Sequence, residues 1–180
     1  MSIDVKVSGL DTKLDSKSDR VKASDLVWED IEDGKYNAEL VIVYPWKSVT
    51  HVTSVRKKDD DGKFIKDSDG KYVKEEVGEL TWHITDAVFK IVDGMYEGYA
   101  VKGTFSTHPD MIGSAKRFLY NANLFDITLQ DLYKNTGAKV SVIIKHKEET
   151  YKDKKTGVVK TADNAYVSYY DKFDTNDTGK

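Results

Sequence analysis

Residues 79–92 read ELTWHITDAVFKIV, fourteen positions rich in β-branched and aromatic side chains with no glycine or proline among them. Such a run suits a pleated sheet and makes a poor helix. Two glycine turns, Asp93-Gly94 and Glu97-Gly98, lead from it into residues 99–107, so a hairpin is expected. Residues 36–44 form another run rich in Val, Ile and Tyr that Pro45 ends, and residues 49–55 alternate Val with Thr, His and Ser. The chain is therefore mainly β.

Between these runs lies a segment of unusual charge. Fourteen of the residues in 56–76 are charged, seven of each sign, and the segment contains Asp61-Gly62-Lys63-Phe64-Ile65-Lys66 followed eight residues later by Asp69-Gly70-Lys71-Tyr72-Val73-Lys74. Paired Asp-Gly turns, each before an aromatic and a β-branched residue, predict a protruding hairpin. The same acids do not make an EF-hand, because Ile65 would occupy the first ligand position and helices do not flank the loop.

Residues 111–124 place Ile112, Phe118, Leu119 and Ala122 near one helical face. Thr128 is a candidate N-cap, with Asp131 three positions on, for a short second helix over 129–136 that Gly137 stops. Residues 138–147 and 165–173 return to strand. At 180 residues with 39% hydrophobic and 11% aromatic content the chain supports one core, expected over 25–173. A flexible arm is expected over 1–24 and a polar tail over 174–180.

Chemistry-bearing patterns are sparse. His51, His83, His108 and His146 are isolated from one another, cysteine is absent, and no phosphate-binding or nucleophile motif occurs. No catalytic role, metal or cofactor is expected. No segment has the length of a membrane helix or the layout of a secretion signal, which leads to the expectation of a cytoplasmic protein. The net charge is −3, yet residues 139–160 hold seven Lys against Glu148, Glu149 and Asp153. A local basic field of this kind attracts a polyanion whatever the net charge.

The element order is strand, strand with a charged hairpin, long strand, strand, helix, strand, strand. That order suggests an OB-type five-stranded Greek-key barrel with an inserted helix and extended hairpins. The phrases Asp33-Gly34-Lys35-Tyr36-Asn37-Ala38, Phe89-Lys90-Ile91-Val92-Asp93-Gly94-Met95-Tyr96-Glu97-Gly98-Tyr99 and Gly137-Ala138-Lys139-Val140 resemble phage-encoded single-stranded DNA-binding proteins of OB type. The resemblance implies single-stranded DNA as partner, a role in replication or recombination, and a place in the host cytoplasm. Replication proteins and a second copy of the chain are the further partners to expect. Related families end in an acidic, aromatic-tipped tail; here only Asp171, Phe173, Asp174 and Asp177 match it, and Lys180 follows.

Single-strand binding combines cations along the backbone with flat side chains under the bases. Trp46 with Lys47, Tyr99 with Lys102, and Tyr151 with Lys145, Lys147 and Lys152 interleave the two kinds, and are the expected nucleic-acid contacts. Arg117, Lys116 and Tyr120 lie on the polar side of the helix, as contacts or as a merely solvated face, and Tyr166, Tyr169 and Tyr170 are candidates to stack bases, although strand alternation sends about half of them inward. The alternative is a non-catalytic protein- or carbohydrate-binding β domain of a virion or assembly, which has no use for the basic 139–160 segment.

Overall fold

The computed structural model describes residues 21–175. The arm expected over 1–24 lies outside the described residues apart from 21–24, and the tail expected over 174–180 lies outside them apart from 174–175. Among the described residues six strands and one α-helix follow in the order β1 (Gly34–Val43), β2 (Lys47–Arg56), β3 (Lys74–Ile91), β4 (Ala100–Ser106), α1 (Ile112–Asn121), β5 (Lys139–Lys152) and β6 (Val159–Asp171). A 3-10 helix, Leu129–Asn135, stands where the second helix was expected. Its N-cap is Thr128, whose side chain accepts the Asp131 N–H. No described helix is long and apolar enough to cross a membrane.

The strands close on one another. β1 pairs antiparallel with β3, from Ala38↔Ile91 to Val43↔Ala87, and on its other side with β5, from Gly34↔Ile144 to Glu39↔Lys139. β3 pairs with β4, and β5 with β6. β4 meets β6 in parallel at the single pair Lys102↔Tyr166. The ring β1–β3–β4–β6–β5–β1 gives a barrel-like β fold, while β2 hangs on β3 alone. The fold is thus mainly β, with the helices between β4 and β5.

Alternation fills the inside of the ring. Ala38 and Leu40, Ala87, Phe89 and Ile91, Val101 and Phe105, Val140, Val142 and Ile144 are all buried, and α1 closes one end with Ala115, Phe118 and Leu119. Two irregularities adjust this pattern. The register of β1 shifts between Leu40 and Ile42, and Val41 joins Val88 and Ala100 in a second cluster against Leu26. The β5–β6 register shifts at Ile143/Ile144, so that Ser168 is an extra residue and its hydroxyl donates to the Ile143 carbonyl at 3.0 Å. Val167 and Tyr170, three residues apart, consequently both point inward.

The segments that follow β3 and β6 are tied to the ring by Asn37 in β1. Its amide donates to Asp93 Oδ2 at 2.7 Å and to the Asp174 carbonyl at 2.8 Å, and its oxygen accepts from the Ser141 hydroxyl and the Asp174 N–H. A buried amide with all these partners is stabilising, because none of its polar atoms is left without a bond.

The charged segment differs from the expectation of a free hairpin. Its eight-residue repeat has a third copy, Val73 to Leu80, in which Gly78 takes the place of Gly62 and Gly70. All three glycines have positive φ, at 80°, 76° and 70°. The equivalent positions Lys57, Ile65 and Val73 bond in a cycle: Ile65 N–H to the Lys57 carbonyl, Val73 N–H to Ile65, and Lys57 N–H to Val73, at 2.8–3.0 Å. Asp59 and Asp67 each accept two N–H groups of their own turns through Oδ1. Arg56 lies over the Tyr72 ring at 4.3 Å and near Phe64 at 5.5 Å. Its backbone N–H donates to Asp110 Oδ1 at 3.0 Å, fastening the end of β2 to the turn after β4.

Inside the ring, Tyr170 stacks on Phe105 at 5.5 Å and packs against Phe89 and Phe118. Its hydroxyl has no hydrogen-bond partner among the described residues, and burial pushes the phenol pKa up. Gly103 makes room for that hydroxyl; a Cβ there would collide with it and lie 3.0 Å from the Phe89 ring. Replacing Tyr170 with Phe removes an unsatisfied polar atom and should raise stability by about 1 kcal/mol. Gly103→Ala should cost about 1–3 kcal/mol, and less in the Tyr170→Phe background. Urea denaturation of the four proteins in this cycle measures the coupling, and equal costs for Gly103→Ala in both backgrounds would contradict the contact.

Candidate nucleic-acid interface

Residues opposite one another on paired strands share a face. Tyr166 of β6 is paired on one side with Lys102 of β4 and on the other with Lys145 of β5, so a tyrosine ring stands between two lysines on the outside of the ring. Neighbouring strands lie about 4.8 Å apart, which sets the spacing of this row. Farther along the β5–β6 ribbon the same face carries Lys147 opposite Asn164 and Tyr151 opposite Lys160. Tyr166 is 37% and Tyr151 50% exposed, enough for a ring face to be open to a ligand.

The lysines are not equivalent. Among the described residues neither Lys102 nor Lys145 forms an ion pair, whereas Lys147 Nζ lies 3.5 Å from Glu149 and Lys160 Nζ 2.6 Å from Asp153. The Lys160 ammonium, helped by the N–H groups of Lys155 and Thr156, holds the Asp153 carboxyl below its ordinary pKa. That carboxylate also shapes the turn joining β5 to β6.

A groove of about 1010 Å³ opens beside the row, lined among others by Trp28, Lys102, Thr104, Met111, Asn164 and Tyr166. Its far wall is the segment before β1. Val27 bridges Tyr99 and accepts the Ala100 N–H, Leu26 packs on the outer cluster, and the Trp28 indole N–H donates to the Ala23 carbonyl at 2.7 Å. The walls carry Glu29, Asp30, Glu149 and Asp163 as well as Lys102 and Lys147. The groove is thus more acidic than the row.

His146 ties this segment to β5. Its ring nitrogens lie 2.8 Å from Asp30 and 2.6 Å from Asp33, and its backbone N–H donates to Asp33. Hydrogen bonds to Asp30 and then to Asp33 raise the imidazole pKa to about 9, so the ring is cationic at neutral pH. The same contact holds the Asp33 carboxyl below its ordinary range.

Of the residues expected from the sequence, the structure brings Lys102, Lys145, Lys147 and Tyr151 onto one face. Trp46 packs half-buried against the core, and its indole N–H has no partner among the described residues. Lys47 stands at the start of β2 opposite Ile84, away from the groove. The Tyr99 hydroxyl donates to Glu29 at 3.0 Å, which raises its pKa, and the ring packs edge-on against Tyr96. Lys152 alternates with Tyr151 and so belongs to the opposite face of the ribbon. Tyr166, Trp28, Thr104 and Asn164 were not singled out as contacts. Its aromatic ring makes Tyr166 a candidate in the sequence, but only the pairing puts it between two lysines. Among the described residues no cluster of His, Asp and Glu could hold a metal.

No family model, curated protein or solved structure matches this chain.

The His146 contacts set a pH dependence. A group whose pKa rises from 6.5 to about 9 on folding contributes stability that is complete below 6.5 and lost as pH rises to about 9. Melting temperatures of the wild type and His146→Gln should therefore differ most near pH 6 and converge above about pH 9. A constant difference across that range would show that the imidazolium is not what the two aspartates hold.

Proposed function

We propose that this chain is a non-catalytic, OB-type single-stranded DNA-binding protein with little sequence preference, acting in phage DNA replication or recombination in the host cytoplasm. The observation that carries the reading is Tyr166 flanked by Lys102 and Lys145 on the outer face of three adjacent strands. A base can stack on the ring while the ammonium groups, neither of them in an ion pair among the described residues, meet the phosphates on either side. Stacking tolerates any base, so the row needs no sequence code. The barrel-like ring, with its helices between β4 and β5 and its two long hairpins, supports the OB assignment, since that fold binds oligonucleotides through one face and two loops. Lys147 and Tyr151 extend the contact along the β5–β6 ribbon.

The protein should bind oligo(dT) more tightly than duplex DNA, and the affinity should fall with salt as counterions are released. Lys102→Ala and Lys145→Ala should each lower the magnitude of the log–log salt slope by about 0.7. Tyr166→Ala should weaken binding by about 1–3 kcal/mol at every salt concentration. Glu149→Gln should act in the opposite direction, because it releases Lys147 from its carboxylate and adds a phosphate contact. Fluorescence anisotropy with a labelled oligo(dT) at two or more salt concentrations measures all four variants. Absence of binding at low salt would overturn the function.

A further inference from the structure

The row does not end at Tyr166. Were Ser168 an ordinary paired residue, Tyr169 would follow strand alternation into the core; because Ser168 is instead the extra residue of a bulge, Tyr169 pairs with Ile143 and returns to the outer face that carries Tyr166 and Lys145. Tyr169 is 41% exposed. Over its ring lies the Arg117 guanidinium of α1, at 4.0 Å from the centroid. Arg117 is exposed and forms no ion pair among the described residues, so its N–H donors are not taken by a carboxylate. One turn along α1, Tyr120 is 52% exposed and packs edge-on against Phe125 at 5.8 Å, which continues the aromatic surface past Arg117.

From these contacts we infer that Arg117, seated on Tyr169, is a second nucleotide-binding subsite for the same single strand, outside the groove and on the helix side of the ring. This inference rests on the single-strand reading above. Guanidinium planes accept a stacked base on one face, and their edge donors match the bidentate geometry of a phosphate. With its Cζ 4.0 Å from the Tyr169 centroid and its side chain exposed, Arg117 can stack on Tyr169 through one face and offer the other to the next base. Tyr169 is a positioning residue here. Its ring orients the guanidinium and does not itself need to touch DNA. The strand would then run along the outside of β6, from Tyr151 and Lys147, past Lys145 and Tyr166, to Arg117.

The test is a length series, labelled oligo(dT) of about four and about sixteen nucleotides, the span of site sizes for folds of this type, titrated against the full chain. Wild type should gain affinity from the short to the long oligonucleotide. Arg117→Ala should bind the short one as wild type does and lose about five- to a hundredfold on the long one, the range for one stacked base. Tyr169→Ala should lose part of the same increment, and Tyr169→Phe, which keeps the platform, none of it. Arg117→Lys should retain the salt slope of wild type while losing affinity, because it keeps the charge without the plane. Wild-type affinity on the long oligonucleotide for Arg117→Ala and Tyr169→Ala would overturn the subsite and leave the Tyr166 row standing; this is also the result expected of a surface that serves a protein partner. If wild type binds neither length, the single-strand reading and the subsite fall together. The two conservative variants keep the test valid if an alanine substitution proves unstable in a melting control.

Discussion

β4 and β6 pair in register at one position, and the rest of the molecule depends on that seam. Parallel neighbours need close approach of two backbones whose side chains alternate in and out. On the inside the approach is possible because Gly103 has no side chain where the Tyr170 hydroxyl lies. On the outside it sets Lys102 beside Tyr166. The same contact therefore closes the core around Phe89, Phe105 and Phe118 and assembles the surface row from three strands. A change that loosened the inner packing would also separate the tyrosine from its flanking lysine.

Local features of the sequence translated directly into local structure. The β-branched runs became β1, β2 and β3, Pro45 separates the first two, and Thr128 caps a helix as its spacing with Asp131 implied. Strand ends were less legible. β5 runs to Lys152 and β6 begins at Val159, well beyond the expected 138–147 and 165–173, because the ribbon is held by cross-strand pairing and by the Asp153 turn. Charged residues such as Lys74, Glu75 and Glu76 lie in β3 for the same reason: pairing with β2 satisfies their backbone while their side chains stay in water. The third copy of the eight-residue repeat was hidden because Val77 replaces the Asp before its glycine and Glu79-Leu80 the Lys-aromatic pair after it; Val77, beside Gly78, is the extra residue opposite Thr53/Ser54.

The candidate site was half legible, and the missing half has one physical cause. Aromatic and basic residues can be picked out along a chain, but which of them stand side by side is decided by pairings between segments far apart in sequence. Lys102 and Tyr166 are sixty-four positions apart and adjacent in the sheet. Tyr99 and Trp46 have the right chemistry and the wrong neighbours, one bonded to Glu29 and the other packed on the core. The inserted Ser168 is subtler. A single extra residue decides whether Tyr169 or Ser168 faces outward, and no propensity reveals a register shift of one.

Charge needs the same treatment, because counting lysines misjudges the field. Of the seven in 139–160, Lys160 is engaged by Asp153, Lys147 by Glu149, and Lys139 sits over the Phe173 ring at 5.6 Å. Lys152 lies on the other face of the ribbon. Lys154 and Lys155 sit in the turn joining β5 to β6. On the outer face of the strands Lys145 is left, and beside it Lys102, which comes from outside the basic segment altogether. Acids sort in parallel: Asp30 and Asp33 face the His146 imidazolium, so the acidic segment before β1 is partly neutralised where it meets β5. Attraction for a polyanion is strongest where cations lack carboxylate partners, along β6 and toward Arg117, and weakest in the groove among Glu29, Glu149 and Asp163. The groove and the cationic row thus share Lys102, Lys147 and Tyr166 along one edge without coinciding, and a phosphate backbone following the field would track β6 with the acidic side of the groove at its flank.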